Sequence, residues 1–591
     1  MSGIYEFSSG WTLMMAKDGE RAPLANFIAE ITDETHFSDG EKEIETVLTI
    51  TGHQIKRDDN MEETRIELPK VIVSTDNFPS MTWVMQSWGV SAVIWPGSGV
   101  RDNLRAAIQQ NSHPKVLTVY RHTGWTKLQD GRTAYLHAGG AITSRGNDSS
   151  TEILLPPEMR LFDLCTDSKG PESIKATLRL LRVCNPFVSW SLLSGTIAPL
   201  FGPVDFGIHL SGRTGTFKSE TISLWQSHYG SGMDARHLPA SWASTANALE
   251  AQAYIAKNAV LAIDDFVPHG TSWMQRAYQA TAEKVIRSAG NLSGRARLTD
   301  VSSLQRTFFP RGIIFSTGED APEGHSVRAR LWLLDTAPGD TDPKKLTLSQ
   351  ADRSLFPGTI VSITQHLAGH PNEIKDYQSD SLSIRDANLE LGHTRTPSAF
   401  GTLLAAARWF LAFSRNIGAL PEKAAEKLAA EAADALATVA QRQTQYLESA
   451  DPCDVFCQTI RQVLGSHSGH IRSMQGGIPR SPEVLGWTLK SDDGGIRSYM
   501  SHGPTIGWIN WDKAELYIDS NLGMAVIKKT AGPEIAVSKQ TLQKRLKDAG
   551  MLVRVDDQRQ RNTIRVTADN HSRQVIALRT ADVFETEEVP E

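Results

Sequence analysis

Cysteine is scarce: Cys165, Cys184, Cys453 and Cys457 are the only four in 591 residues. That is too few and too scattered for a disulfide framework, and a reducing cytoplasm is the expected setting. Only Cys453 and Cys457 are close, four positions apart on one face of an expected helix, with no second Cys or His pair nearby to complete a zinc site. Long apolar runs are missing too. The richest stretches, near 187–201 and 400–413, are too short or too interrupted to span a bilayer, so no membrane partner is expected. Met1 to Leu24 carry no basic segment followed by an apolar one, so no secretory signal is read there. Nor is there a basic excess: the formal net charge is −6, and any nucleic-acid surface must be local. Solenoid-period repeats and long low-complexity tracts are absent. What remains, 40% hydrophobic and 22% charged, is ordinary globular protein, long enough for about four folded units.

Residues 1–150 mix strand candidates (44–51, 70–74) with a helical piece (101–110) and read as an N-terminal α/β accessory domain. The segment Arg121 to Gly140 reads as turn-rich strands without an acid, metal or nucleophile constellation. Apolar spacing from Pro171 to Phe201 is helical and stops at Gly202-Pro203, making 151–203 a helical linker. Residues 204–337 alternate buried-strand runs (204–210, 259–263, 312–316, 331–334) with helical stretches, the pattern of an α/β unit with a parallel sheet. Residues 338–470 turn helical, with Pro421 opening a long Ala/Glu/Lys-rich helix, and read as a lid or bundle. The last segment, 471–591, changes to Trp-containing turns and then a helix–strand–strand pattern.

The strongest chemical signal follows the first strand of the α/β unit. Val204 to Leu210 runs into Ser211-Gly212-Arg213-Thr214-Gly215-Thr216-Phe217-Lys218-Ser219 and then a helix, which is P-loop order. Such a loop aims backbone N–H groups and a helix N-terminus at phosphate. Gly212 to Ser219 would cradle the nucleotide, with Lys218 reaching the β and γ phosphates and Ser219 holding magnesium. One departure stands out. The usual pattern has glycine immediately before the lysine, whereas Phe217 is there and the second glycine, Gly215, lies two positions earlier. The alternative for this segment alone is a glycine turn with an exposed lysine.

About forty residues on, Val260-Leu261-Ala262-Ile263 ends in Asp264-Asp265. Asp264 would bind the ion through water. Asp265, where related ATPases often carry Glu, would polarise the attacking water. The alternative is a strand-to-loop turn with Asp caps. A further strand ends in Ser316-Thr317-Gly318-Glu319, polar groups at the strand edge where α/β ligands bind, and Thr317 would sense the γ phosphate. Arg328 and Arg330 precede the last strand, and either would act in trans on a neighbour's nucleotide. In order, loop, Asp pair, Ser-Thr and Arg point to ATP hydrolysis with ATP and Mg2+ as cofactors.

Gly212 to Ser219, Trp242 to Glu250, Asp264-Asp265-Phe266, Gly294-Arg295-Ala296-Arg297 and Ser316 to Glu319 together resemble the domain-of-unknown-function family 927, P-loop ATPases of bacterial mobile elements. The likeness covers roughly residues 110–420. It implies an AAA+ core that assembles into a ring, a hexamer, similar to ring helicases of the minichromosome-maintenance type. It further implies that Ser326 to Leu334 is the arginine-finger strand, leaving Arg328 and Arg330 open, and that Arg395, opening a lid helix, corresponds to a sensor-two arginine. A phosphate loop with glycine displaced from the lysine is similar to a branch of that family.

Two segments bear on DNA. Gly290 to Leu298 reads as a glycine-flanked hairpin tip, where Arg295 and Arg297 would face a ring's pore and grip a phosphate backbone; the alternative is a surface turn with two solvated arginines. Ser538 to Ala549 reads as a capped helix carrying Lys539, Lys544, Arg545 and Lys547, followed by two strands with 556–562 as a wing, which resembles a winged helix. From Ile535 to Val566 there are eight Lys/Arg against three Asp, a basic island in an acidic chain. The expectation is an ATP-driven, ring-forming DNA motor acting on single-stranded or forked DNA in the replication of a mobile element. Two other readings stay open: a DNA-bound, ATP-switched regulator or loader, and a degenerate nucleotide-binding scaffold.

Overall fold

The computed structural model describes residues 5–15, 20–41, 43–57, 62–165, 170–268, 271–293, 297–298, 304–305, 308–391, 395–449, 451–493, 496–535, 538–556, 559 and 561–584. Its apolar side chains gather into three main cores. One lies within Leu24 to Ile108, the largest runs from Tyr135 to Ala440, and the third from Cys453 to Phe584.

The N-terminal core sits on a five-stranded sheet in the order Glu152–Ile153, Lys115–Tyr120, Ile28–Ser38, Glu43–Arg57, Glu63–Ser74, with the helix Val100–Asn111 packed on it. The two long hairpin strands exceed the short runs legible from sequence. A four-stranded antiparallel sheet, Gly124–Lys127, Thr133–His137, Gly140–Thr143 and Gly146–Asp148, sends Tyr135 and Ile142 into the large core, while Ala134, Leu136 and Ala141 form a small cluster with Tyr120 and Leu128.

The central sheet has five strands, numbered here in chain order: β1 Gly207–Gly212, β2 Ala240–Ser241, β3 Val260–Phe266, β4 Ile313–Gly318 and β5 Leu331–Thr336. All neighbours are parallel, in the order β2-β3-β4-β1-β5. The apolar runs of β1, β3, β4 and β5 are buried, as expected for a sheet covered on both faces. Helix α1, Lys218–Gln226, packs on β3 and β4, while the helix Pro186–Ile197 approaches β1. That approach needs Gly195, where a Cβ would strike the side chains of Ile208 and Phe315. Strand β2 is only two residues long and pairs with Ile263 and Asp264. Farther back on β3, the buried side chain of Gln226 takes over: its amide donates to Val260 O (3.1 Å) and its Oε1 accepts from Ala262 N (2.7 Å). This binds α1 to β3 and satisfies backbone groups that burial would otherwise leave costly.

Two expectations are corrected by packing. Read from sequence, 151–203 is a linker; in the structure the helix Pro186–Ile197 is buried from Val188 to Ile197 in the main core. It carries no charge on any face, and Ser189, Ser191 and Thr196 donate their hydroxyls to nearby backbone carbonyls, so it lies inside the molecule. The helix Pro452–Gly465, within the expected lid, packs instead in the C-terminal core. There the basic helix Lys539–Asp548 and the antiparallel pair Ile564–Ala568 and His571–Arg579 are present. They belong to a larger six-stranded sheet that also takes in His470–Ser473, Thr505–Asn510, Glu515–Asp519 and Leu552–Arg554. Among the described residues no helix is long and apolar enough to cross a membrane.

Candidate nucleotide site

The parallel register brings the C-terminal ends of β1, β4 and β3 side by side, and the polar residues singled out in sequence converge there. Asp264 Oδ1 accepts Ser219 Oγ at 2.8 Å and also accepts the hydroxyl of Thr317 in a short hydrogen bond. Thr317, 1% exposed, accepts the backbone N–H of Asp265 at 3.0 Å. One side chain from the middle strand thus fixes both members of the Asp pair. Ser219 and Asp264 together offer only hard oxygen donors, which suits magnesium.

Local backbone geometry explains the Asp pair. Between Ile263 and Phe266 the register against β4 shifts by one residue, and Asp265 has φ +66°. This is a β-bulge, a device that re-aims side chains. It leaves Asp264 half-buried toward Ser219 and Thr317, with Asp265 exposed. Aspartate tolerates the left-handed region better than most residues, which gives a physical reason for Asp at position 265.

The loop of β1 has two constrained positions. At Gly212 a Cβ would collide with the carbonyl and hydroxyl of Thr336. Phe217, immediately before Lys218, takes φ +61° and ψ +26°, the left-handed conformation for which glycine is the ordinary choice. Its ring is 41% exposed. The loop therefore keeps the glycine-type turn while holding a phenylalanine in it, at a cost of about 1–2 kcal/mol. Thr216 is buried, bonding Arg213 O (3.0 Å) and Thr336 Oγ1 (3.1 Å). Arg213, Thr214 and Gly215 are exposed at the mouth.

Lys218 Nζ is folded back onto Gly212 O (2.7 Å) and Arg213 O (3.0 Å). Burial lowers its pKa, opposed by Glu319, Asp264 and Asp265. Glu319 is the loop residue that sequence left without a role. Its Oε1 accepts Thr214 Oγ1 at 2.5 Å, and its backbone carbonyl accepts Gly212 N–H at 3.2 Å. Its position in the Ser-Thr-Gly-Glu run was the available signal. Behind Thr317 lies a buried polar chain that no local motif announces. Trp242 Nε1 donates to Ser316 Oγ (2.8 Å), and His209 Nδ1 is 2.9 Å from the same hydroxyl, with its Nε2 3.0 Å from Asp320 O. Burial holds His209 at about 4, so it is neutral near pH 7.

The three candidate arginines lie elsewhere. Leu331 pairs with Gly207 and Thr336 with Gly212, so Arg330, just before β5, sits at the opposite edge of the sheet, roughly 17 Å from the loop after β1 at strand rise. There Arg330 Nη2 and Arg395 Nη2 share Asn291 Oδ1 (2.8 and 3.4 Å), and Arg395 Nη1 donates to Gly290 O at 2.7 Å. Arg330 also donates to Ser326 Oγ at 2.8 Å. Burial first, then Arg395 and Arg287, lowers its pKa. Arg328 donates to Pro322 O at 3.3 Å. Pro322 belongs to the loop that leaves the C-terminal end of β4, so Arg328 turns toward the strand ends while Arg330 and Arg395 stay at the strand starts.

The segments expected to meet DNA belong to different units. Gly290 and Asn291 end the helix Ser272–Asn291, so the hairpin does not begin there; its strands are Arg297–Leu298 and Leu304–Gln305. Arg295 lies outside the described residues. In the C-terminal unit, Lys539 and Lys544 line a groove of about 490 Å³ with Arg561 and Gln574. Lys539 donates to Asn521 Oδ1 at 2.9 Å, while Lys544 is exposed. Arg545 instead approaches His325 of the central unit closely enough to lower its pKa, after burial and against Asp451. It faces protein, which sets it apart from Lys544. The segment Arg121 to Gly140, empty of chemistry in sequence, supplies a buried His137 that meets Asp163 and Cys165, their ligand atoms within 4.8 Å of one another. Both ring nitrogens of His137 are engaged, Nε2 by Asn147 (3.1 Å) and Nδ1 by the amides of Gly139 (3.2 Å) and Leu164 (3.1 Å).

Residues 51–298 match the family model described as "Domain of unknown function (DUF927)". The stretch includes the loop Gly212 to Ser219 and the Asp pair and reaches the first strand of the hairpin. No curated protein matches the chain. Among solved structures, the chain is similar to one described as "SCCmec type IV Cch - active helicase", at 14% identity, covering 98% of each chain with a TM-score of 0.54. The two share a fold along nearly their whole length.

Proposed function

We propose that this chain is an ATP- and magnesium-dependent, ring-forming AAA+ DNA motor, a helicase or translocase serving replication of a mobile element. The observation that carries the ATPase reading is the double hydroxyl grip on Asp264 by Ser219 and Thr317, at the ends of parallel strands beside Lys218. In this reading Lys218 leaves the loop carbonyls for the β and γ phosphates, and Gly212 to Ser219 wrap them. Ser219 and Asp264 hold the ion, Asp265 orients the attacking water, and Thr317 ties the ion's acid to the water's. Phosphoryl transfer asks for this kind of positioning rather than covalent chemistry.

Assembly into a ring, hexameric in this proposal and related to the minichromosome-maintenance type, is supported by the arginine cluster. Arg330 and Arg395 stand at the sheet edge away from their own loop, so they complete a site only when that edge faces a neighbour's nucleotide, and Arg328 remains the other candidate for that role. DNA contact is assigned to Arg295 and Arg297 at the hairpin and to Lys539 and Lys544 at the C-terminal groove, on single-stranded or forked DNA. The shared fold with a protein described as an active helicase supports the motor. The direct test is phosphate release by purified protein. Turnover abolished by Lys218→Ala, with an unchanged melting curve, is expected; retained hydrolysis would sink the assignment.

A further inference from the structure

The helix Pro357–Gly369 ends in a polar corner unrelated to the nucleotide site. His366 and His370 are four positions apart and lie on one face, their rings stacked 4.3 Å apart at 19°. The chain turns at Pro371, where Glu373 N–H donates to His370 O at 3.1 Å, and this brings the glutamate back under the two rings. His366 Nε2 and Glu373 Oε1 are 2.8 Å apart. One ligand atom from each of the three residues falls within 4.8 Å of the others.

The surroundings set the tautomer of His370 and the free oxygen of Glu373, while the stacked rings require one imidazole to rotate out of the stack before both Nε2 lone pairs meet one ion. His370 Nδ1 lies 2.9 Å from His366 O, so it carries the proton and leaves the Nε2 lone pair for a ligand. Glu373 Oε2 accepts Trp409 Nε1 at 3.0 Å, which leaves Oε1 for the same centre. Such outer partners fix tautomer and orientation around bound metals. Trp409 is itself held by Phe413, stacked at 5.2 Å, and by Phe201, edge-on at 4.9 Å. Both His366 and Glu373 remain about a third exposed, at 31% and 34%, leaving an entry path. The second cluster, His137 with Asp163 and Cys165, differs in that every ring nitrogen of its histidine already has a protein partner.

We propose that His366, His370 and Glu373 form a binding site for a divalent transition cation of the zinc class, with water as the fourth ligand. Two imidazoles and a carboxylate are a donor set zinc accepts, with bonds of about 2.0–2.2 Å. A tetrahedral centre needs its ligand atoms about 3.3 Å apart, so the 2.8 Å pair opens by half an ångström as the ion displaces the bridging proton. The ion clamps the corner between Pro357–Gly369 and Asn372–Asp386 onto Trp409 of the helix Thr396–Asn416. That helix begins at Arg395, so the clamp steadies the element that carries one of the edge arginines. The proposal does not depend on the ATPase reading.

The test uses the full chain, stripped with chelator and titrated with zinc chloride and, separately, cobalt chloride. Zinc is expected to bind at about one equivalent and raise the melting temperature. The exposed His370→Ala change and Glu373→Gln should each abolish that shift, and Trp409→Phe should weaken binding about 10–100-fold. Cys165→Ser should change nothing, and cobalt should show no thiolate charge-transfer band. No zinc-dependent shift in the wild type, binding that survives His370→Ala and Glu373→Gln, or a thiolate band would each overturn the assignment.

Discussion

Replacing Thr317 by Val tests the link between the three strand ends. Valine keeps the shape of the buried residue and removes only the hydroxyl. Two hydrogen bonds disappear: one donated to the Asp264 carboxylate and one accepted from Asp265 N–H at 3.0 Å. A bond to a charged group is worth about 1.5–3 kcal/mol and a neutral one about 1 kcal/mol. Because Asp264 is only half-buried, the lower end applies, and the loss is about 2–3 kcal/mol. The catalytic effect should exceed what stability alone explains. Asp264 and Asp265 lose their common tether, and misplacement by about an ångström costs on the order of 10²-fold in rate. The assay is phosphate release at saturating ATP, well below the variant's melting temperature, with KM measured alongside. A large fall in kcat with little change in KM is expected. A destabilised variant with wild-type kcat would refute the reasoning and reduce Thr317 to a packing role.

Phe217→Gly removes left-handed strain of about 1–2 kcal/mol but loosens the unfolded chain by about 0.4–1 kcal/mol. The variant's stability should therefore match or slightly exceed the wild type's, whereas Phe217→Ala should gain nothing, and denaturant unfolding compares them. Arg330→Ala and Lys218→Ala should each be inactive alone yet recover phosphate release when mixed, because one subunit supplies the loop and the other the arginine; no recovery would mean that Arg330 does not act across subunits. Acid should destabilise the large core through its buried histidines. His209 and His228 are held at about 4 by burial, below the unfolded value near 6.5. The unfolded chain thus binds more protons as pH falls. Stability is complete above about pH 7 and drops between 6.5 and 4, by up to about 1.4 kcal/mol per pH unit for each histidine. A melting temperature flat from pH 7 to 5 would contradict this.

The parallel sheet and the Lys-Ser helix start after its first strand were legible because buried parallel strands read as uninterrupted apolar runs, and a strand–loop–helix junction is local in sequence. The Asp pair was legible for the same reason. Its bulge was not, since a one-residue register shift depends on pairing with β4, fifty residues away. Glu319 and His209 escaped because their partners, Thr214 and Ser316, become neighbours only through strand order. The strand Ile28–Ser38 was missed, and Glu43–Arg57 and Glu63–Ser74 run well past the short candidates at 44–51 and 70–74. Polar and charged residues interrupt their alternation, so propensity alone truncates them. The buried helix Pro186–Ile197 passed for a linker because a helix without charge on any face lacks the one-sided pattern that marks a core-facing surface. The trio His366, His370 and Glu373 went unread in sequence, because only the turn at Pro371 and the indole of Trp409 bring its members together.

The central claim is that ATP turnover drives movement on DNA. It is met most directly by measuring ATP hydrolysis and strand displacement together on forked DNA, with single-stranded DNA and Lys218→Ala as controls. The account predicts hydrolysis stimulated by DNA and strand separation, both lost in the variant. Hydrolysis indifferent to DNA, with strands left paired, would contradict the motor and leave an ATP-switched regulator or loader in its place.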